Sequence, residues 1–319
     1  MTTFGYFLSS EEHRPDELVR QAVLAEAAGF DALWISDHFH PWNDEQGESP
    51  FVWSVIGAIA TATSLPITTA VTCPTVRIHP AIIAQAAATS ALLADGRFQL
   101  GVGTGENLNE HILGDRWPPA DVRLDMLEEA VEVMRALWTG DQVSHHGPHY
   151  TVENARLYST PDQPPPVYVS GFGPKAVSLA ARIGEGYCGT SPDAELLRQY
   201  RDEGGAGPTQ AGVKVCWGPD RAECVKTAHR LWGPNMVPGE SAQELPMPAH
   251  FEQAGALVDE EMVSDRFACG PDLDEHLGSL TEYLDAGYDE VYVSQIGPTS
   301  EGFFQFAERE LLPAVRGAS

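Results

Sequence analysis

Ala32-Leu33-Trp34-Ile35-Ser36-Asp37-His38-Phe39-His40-Pro41-Trp42 is an apolar run that stops at an acid, two imidazoles, a proline and an indole. Four apolar residues bounded in this way read as a buried strand. A strand that at once presents His and Trp in a loop is how a parallel α/β fold builds a reactive site. The layout recurs at Phe98-Gln99-Leu100-Gly101-Val102, which runs into Gly103-Thr104-Gly105-Glu106-Asn107-Leu108-Asn109. If the two strands are parallel neighbours, both loops open on one face and bring His38, Trp42 and Glu106 together.

Outward from these segments, strand-like and helix-like runs alternate along the whole chain. Strands are expected at 4–8, 32–36, 67–72, 98–102, 167–170, 186–189, 212–217 and 290–294. Amphipathic helices are expected at 16–28, 52–63, 81–94, 122–139, 175–183, 194–203, 219–232, 272–286 and 301–312. Eight strands with intervening helices in 319 residues predict an α/β fold of the (β/α)8 TIM-barrel type rather than a doubly wound sheet. The expected organisation is one domain over 1–319 with two insertions. Residues 141–158 read as a hairpin turning at Gly147, and 234–263 as a Pro-, Met- and Glu-rich excursion. Both are placed to shape the mouth of the barrel or to scaffold a dimer.

Composition narrows the function. There are 46 acidic against 19 basic residues, a net charge of −27, and the only lysines are Lys175, Lys214 and Lys226. Such a surface repels nucleic acid and anionic lipid. An acid-rich, lysine-poor surface suits a cytoplasm of very high salt, where screening removes the self-repulsion, so a halophilic source is expected. The chain has no uncharged apolar run long enough to span a bilayer. Its N-terminus lacks the basic region of a signal peptide, so a cytoplasmic protein is expected. The five cysteines form no Cys-x-x-Cys pair and suggest neither a disulfide framework nor a metal site.

The strand-end residues carry the chemistry. Imidazole is the natural base for a hydroxyl proton at neutral pH, which nominates His38. His40 is read as shaping the pocket. Asp37 either bonds the loop and orients an imidazole or meets a cofactor. Glu106 is the carboxylate to pair with His38, since two titratable groups in one pocket can divide acid and base roles. Glu11, near the end of the first strand, is a further candidate. Gly103-Thr104-Gly105 lets backbone approach a planar ring system. Gly171-Phe172-Gly173-Pro174 precedes a helix beginning at Lys175, where free N–H groups can hold a phosphate.

These motifs resemble the luciferase-like superfamily, and within it the branch that uses the deazaflavin coenzyme F420. The resemblance is to the F420-dependent glucose-6-phosphate dehydrogenases. Gly5-Tyr6, Glu11, Ser36 to Trp42, Val71-Thr72-Cys73-Pro74-Thr75, Arg77, Pro80 to Gln85, Gly101 to Asn109 and Tyr168 to Pro174 carry it. It covers essentially the whole chain. It implies a barrel that binds F420, acts on a small molecule, and forms a homodimer. Catalysis is then expected from His38, Trp42 and Glu106. Cofactor contacts are expected from Asp37, Ala70, Val71, Cys73, Thr104, Gly105, Asn109, Gly171, Phe172, Gly173 and Lys175. Cys73 taken by itself reads as a small buried hydrophobe. Ala70 and Val71 match the place where the superfamily carries a non-proline cis peptide behind the deazaflavin ring. No metal is expected.

Substrate contacts are expected from Glu11, Trp42 and Arg266. Here the sequence departs from the pattern it resembles. The sugar-phosphate enzymes hold the substrate phosphate with two lysines and an arginine. Arg266 matches the arginine, but the corresponding segments 191–198 and 238–245 contain no lysine; Arg198 is a partial substitute. Each charged hydrogen bond is worth about 1.5–3 kcal/mol, so poor use of glucose 6-phosphate is expected. The leading expectation is an F420-dependent dehydrogenase of an alcohol, lactol or sugar. The alternatives are an F420-dependent reductase of an enone, imine or ketone, an FMN-dependent luciferase-type monooxygenase, and a noncatalytic F420-binding protein.

Overall fold

A computed structural model describes the chain except Met1, Pro238, Thr299, Ser300 and Ser319. Pro238, inside the expected excursion, thus lies outside the described residues. Eight parallel strands close on themselves: β1 (Thr3–Leu8), β2 (Leu33–Ile35), β3 (Ile67–Thr69), β4 (Phe98–Val102), β7 (Val167–Ser170), β8 (Gly186–Gly189), β9 (Thr209–Cys216) and β11 (Glu290–Gln295). The seam is β8 against β9, with Tyr187 opposite Thr209 and Gly189 opposite Ala211. The strands are ringed by helices, so the fold is the expected (β/α)8 TIM barrel.

The alternation within β2 explains how the barrel is filled. Leu33 and Ile35 face the helices and join the main core, whereas Trp34 points inward with Phe7, Tyr168 and Tyr292. Trp34 stacks on Tyr292 at 4.7 Å between centroids. Its Nε1 donates to Gln210 Oε1 at 2.8 Å. The interior is therefore packed below and open above, at the C-terminal strand ends where barrels of this type place their sites.

The expected hairpin is β5 (Val143–His146) and β6 (Thr151–Ala155), antiparallel. Glu129 on the helix Ala120–Trp138 ties it down, accepting from His145 Nε2 at 2.9 Å and from the His149 and Tyr150 N–H groups at 3.0 and 2.9 Å. The excursion carries secondary structure of its own. It forms short helices at Ser241–Glu244, Pro248–Gly255 and Glu260–Arg266, then the two-residue strand β10 (Ala268–Cys269). β10 pairs with the end of β9, Cys269 opposite Cys216. Two residues show no periodicity, which is why β10 was not legible. β9 starts at Thr209 rather than 212 because its first three residues close the seam with β8.

Candidate active site

The strand ends surround a cavity of about 1120 Å³. The turn after β1 and the loop after β2 are locked together, since Ser10 N–H donates to Ser36 Oγ at 2.9 Å. Glu11 is buried there. Its Oε2 accepts from Ser36 Oγ at 2.6 Å and Ser9 Oγ at 3.0 Å, and its Oε1 lies 3.4 Å from His38 Nε2. Burial alone raises the pKa of Glu11, but His38, the Ser36 hydroxyl and Lys214 outweigh it, and the carboxyl lies below the ordinary range.

The other ring nitrogen of His38 is held by the second loop. Asn109 Oδ1 accepts from Phe39 N at 2.8 Å and His40 N at 3.1 Å, which fixes the amide orientation. Its Nδ2 therefore donates, and lies 3.1 Å from His38 Nδ1 and 3.3 Å from Glu106 Oε2. The His40 carbonyl is 3.2 Å from the same Nδ1. Either neutral tautomer of His38 thus has a partner. The four side chains Glu11, His38, Asn109 and Glu106 form one chain across the cavity wall. Glu11, His38 and Glu106 face the cavity, with Asn109 buried behind them.

Trp42 also lines the cavity, its ring tilted against His38 at 5.1 Å and edge-on to Phe251 at 5.1 Å. His40 turns away, Nδ1 donating to Leu108 O at 2.8 Å. Asp37 lines the cavity with both oxygens engaged, Oδ2 by Thr72 Oγ1 at 2.7 Å and Oδ1 by Arg77 Nη2 at 2.9 Å. Arg77 N–H in turn donates to Glu110 Oε2 at 2.7 Å. Burial pushes Glu110 up to about 7 against the pull of Arg77.

The wall opposite His38 is backbone. The Ala70–Val71 peptide is cis. A side chain on Gly101 would collide with the Thr69 carbonyl, and a Cβ on Gly103 would stand 2.8 Å from Val71 Cγ2. Gly105 adopts φ +76°, and a Cβ there would meet Cys73 Sγ at 2.6 Å. Cys73 is a buried thiol bonded to Thr75 Oγ1 at 3.0 Å, its pKa raised by burial. Thr104 completes this side.

Further out, Gly171, Phe172, Gly173 and Lys175 line the cavity at the start of the helix Pro174–Ile183. Gly173 is its N-cap and supplies no side-chain cap, so first-turn N–H groups remain for an anion. Lys175 stands at the rim, its Nζ paired with Asp121 Oδ1 at 2.7 Å and its side chain 75% exposed. Arg266 ends its helix at the cavity wall. Arg198 is exposed on the helix Ala194–Asp202 and does not line the cavity, so it does not replace a missing lysine there.

Sequence reading missed Lys214. It lies on β9 and lines the cavity. Its Nζ is 4.1 Å from the Trp232 ring centroid and 4.9 Å from that of Phe7. The signal was present: one cation flanked by Val213 and Val215 in the otherwise apolar stretch 212–217. Glu12 was missed too. Its Oε1 accepts from Trp232 Nε1 at 2.6 Å and its Oε2 from Gly297 N at 2.7 Å. Burial raises it to about 7.

Among the described residues no cluster of three or more His, Cys, Asp or Glu side chains suits a metal ion, and no helix is long and apolar enough to cross a membrane. The pattern of the family described as "Luciferase-like monooxygenase" matches residues 2–290. The F420-dependent glucose-6-phosphate dehydrogenase of Microbacterium testaceum is 37% identical over 98% of this chain and 97% of its own length. Glucose-6-phosphate dehydrogenase 1 of Rhodococcus jostii, also F420-dependent, is 36% identical over 98% of each. Among solved structures, an F420-dependent secondary alcohol dehydrogenase in complex with an F420-acetone adduct superposes with a TM-score of 0.89, at 31% identity over 99% of both chains.

Proposed function

Because the chain belongs to the luciferase-like monooxygenase family, we propose that it is a coenzyme F420-dependent dehydrogenase oxidising a secondary carbinol, with the whole chain acting as one domain. The Glu11–His38–Asn109–Glu106 chain carries this reading. It is a base with a buried anion behind it, in a cavity large enough for a cofactor and a substrate. The residues fit a flat, anionic-tailed cofactor. Gly103 and Gly105 pack so closely on Val71 and Cys73 that a Cβ would displace them from the cavity wall, and the uncapped helix start at Pro174 offers N–H groups to a phosphate. Thr104, Gly105, Val71 and Cys73 would hold the ring, and Gly171, Phe172 and Gly173 the tail.

When bound, the deazaflavin supplies the hydride acceptor. His38 Nε2 takes the hydroxyl proton while Nδ1–H donates to the His40 carbonyl and Asn109 Nδ2 donates to Glu106; the imidazolium so formed lies beside Glu11 Oε1. Glu11 stabilises that imidazolium; the ordinary worth of such a proton-transfer group is about 10²–10⁴-fold in rate. Trp42 walls the substrate against His38, and Glu106, held through Oε2 by Asn109, faces the cavity beside it. The excursion lines the mouth with Met236, Gly239, Ala242 and Gln243. Titration of F420 and of FMN tests the cofactor, with tighter F420 binding expected; tighter FMN binding overturns the assignment.

Glucose 6-phosphate is read as a poor substrate, because the segments expected to hold its phosphate lack lysine. A homodimer is supported by helices Val52–Ala62 and Pro80–Leu93. They carry no charged residue and expose Ile82, Leu92 and Leu93, in a chain of net charge −27. Five buried free thiols fit a reducing cytoplasm, and the acid-rich, lysine-poor composition fits a salt-rich one.

A further inference from the structure

The ammonium of Lys214 is an unusual group to place inside a barrel. It is flanked by the rings of Trp232 and Phe7 at 4.1 and 4.9 Å. Among the described residues no carboxylate comes within ion-pair distance of it. Aromatic faces lower the cost of holding a cation away from water, yet a desolvated ammonium still needs a counter-charge. The nearby acids are Glu11 and Glu12, on the turn that follows β1. Glu12 is already committed to Trp232 and Gly297. Glu11 accepts from two serine hydroxyls through Oε2 and turns Oε1 to His38.

We propose that Lys214 is a positioning residue for the reaction: its caged ammonium keeps the buried Glu11 carboxyl ionised, and Glu11 in turn receives the imidazolium that His38 becomes. This rests on the reading of His38 as the base. The groups acting on Glu11 are His38 and Lys214, with Glu12 adjoining it; His13 feels Glu11 in turn, and Arg266 faces Lys214. Burial drives Glu11 toward its neutral form, and Lys214 is one of the cations that oppose it. Burial also lowers the pKa of Lys214, with Glu11 and Glu12 acting against that fall. The two groups therefore sustain each other's charge.

The test joins an infrared titration of the cofactor-free protein to pH–rate profiles with F420 and a secondary alcohol. Glu11→Gln identifies the Glu11 carboxyl band by its loss. In Lys214→Met, with Lys214→Gln as a second neutral variant, protonated Glu11 is expected to persist to a pH higher by about 1 unit or more, the size of one nearby charge. The acid limb of kcat/KM should move up with it. Lys214→Arg should restore both. In the Glu11→Gln background, Lys214→Met should produce no shift in the limb. An unmoved Glu11 band, or an equal limb shift with Gln at position 11, overturns the proposal, the latter because the charge would then act on His38 directly. His38→Ala is the control for the underlying reading: persistent turnover shows that the base lies elsewhere, while the infrared arm still decides the Lys214–Glu11 coupling.

Discussion

Glu11 Oε1 lies 3.4 Å from His38 Nε2, with both side chains almost fully buried at the edge of the cavity. The pair is an ion pair only when the imidazole is protonated. The carboxylate therefore favours the charged state that a base reaches after it has taken a proton. Replacing His38 with Ala should reduce kcat by about 10²-fold or more while F420 affinity changes little. Turnover near the wild-type rate would remove His38 from the mechanism, and weakened F420 binding alone would make it a cofactor contact.

Asn109 does two jobs that substitution can separate. Its oxygen accepts the Phe39 and His40 N–H groups, and its nitrogen spans His38 and Glu106. Asn109→Ala should cost about 1–3 kcal/mol of stability, since two backbone donors lose their acceptor, and should also lower kcat. Asn109→Asp keeps the acceptor but loses the donor and faces Glu106 with a like charge. It should retain more stability than the alanine variant while losing comparable activity. Equal activity in Asn109→Asp and wild type would show that the Asn109 donor plays no part.

Glu12 should give stability an unusual pH dependence. Its pKa is raised from 4.5 to about 7 by burial. Between those values the folded chain holds a proton that the unfolded chain has released. The contribution of Glu12 to stability is therefore full below the unfolded value and is lost as pH rises through the folded one. Glu110, raised to about 7 in the same way, acts in the same direction. Thermal unfolding across this window should show Tm falling with pH, and Glu12→Gln should flatten the fall. An unchanged slope in Glu12→Gln would mean that Glu12 is ionised throughout.

Glucose 6-phosphate should be oxidised poorly, and an uncharged secondary alcohol better. The negative surface adds a long-range penalty for phosphorylated substrates at low ionic strength, which molar salt screens. Steady-state F420 reduction with glucose 6-phosphate, glucose and simple secondary alcohols, each in low and high salt, checks this. Saturable turnover of glucose 6-phosphate at low millimolar levels would show that Arg266 and its neighbours hold the phosphate without the lysines.

The barrel was legible because its strands are short apolar runs punctuated by Gly-rich or polar turns, a pattern that survives without tertiary information. That His38, Trp42 and Glu106 share one cavity was legible for the same reason, since they stand in the loops after such runs. What could not be read was anything whose meaning depends on a partner distant in sequence. Asn109 bonds His38 across 71 positions, and Trp232 bonds Glu12 across 220. Lys214 carries a charge whose neighbouring acids, Glu11 and Glu12, follow another strand, so in sequence it is only an interruption of β9. The excursion hides its order because its helices are short and are held by side chains from elsewhere. Arg123 Nη2, for example, donates to Gln243 Oε1 at 2.9 Å.

The most direct measurement is the absorbance of F420 incubated with the purified protein and a secondary alcohol, with FMN in parallel. F420 is expected to lose its oxidised-state absorbance in proportion to ketone formed, with saturation in alcohol and a rate lower by about 10²-fold or more in His38→Ala; FMN should remain oxidised. Bound F420 that stays oxidised with every alcohol, lactol and sugar offered, or reduction that proceeds equally well with FMN, would contradict an F420-dependent dehydrogenase.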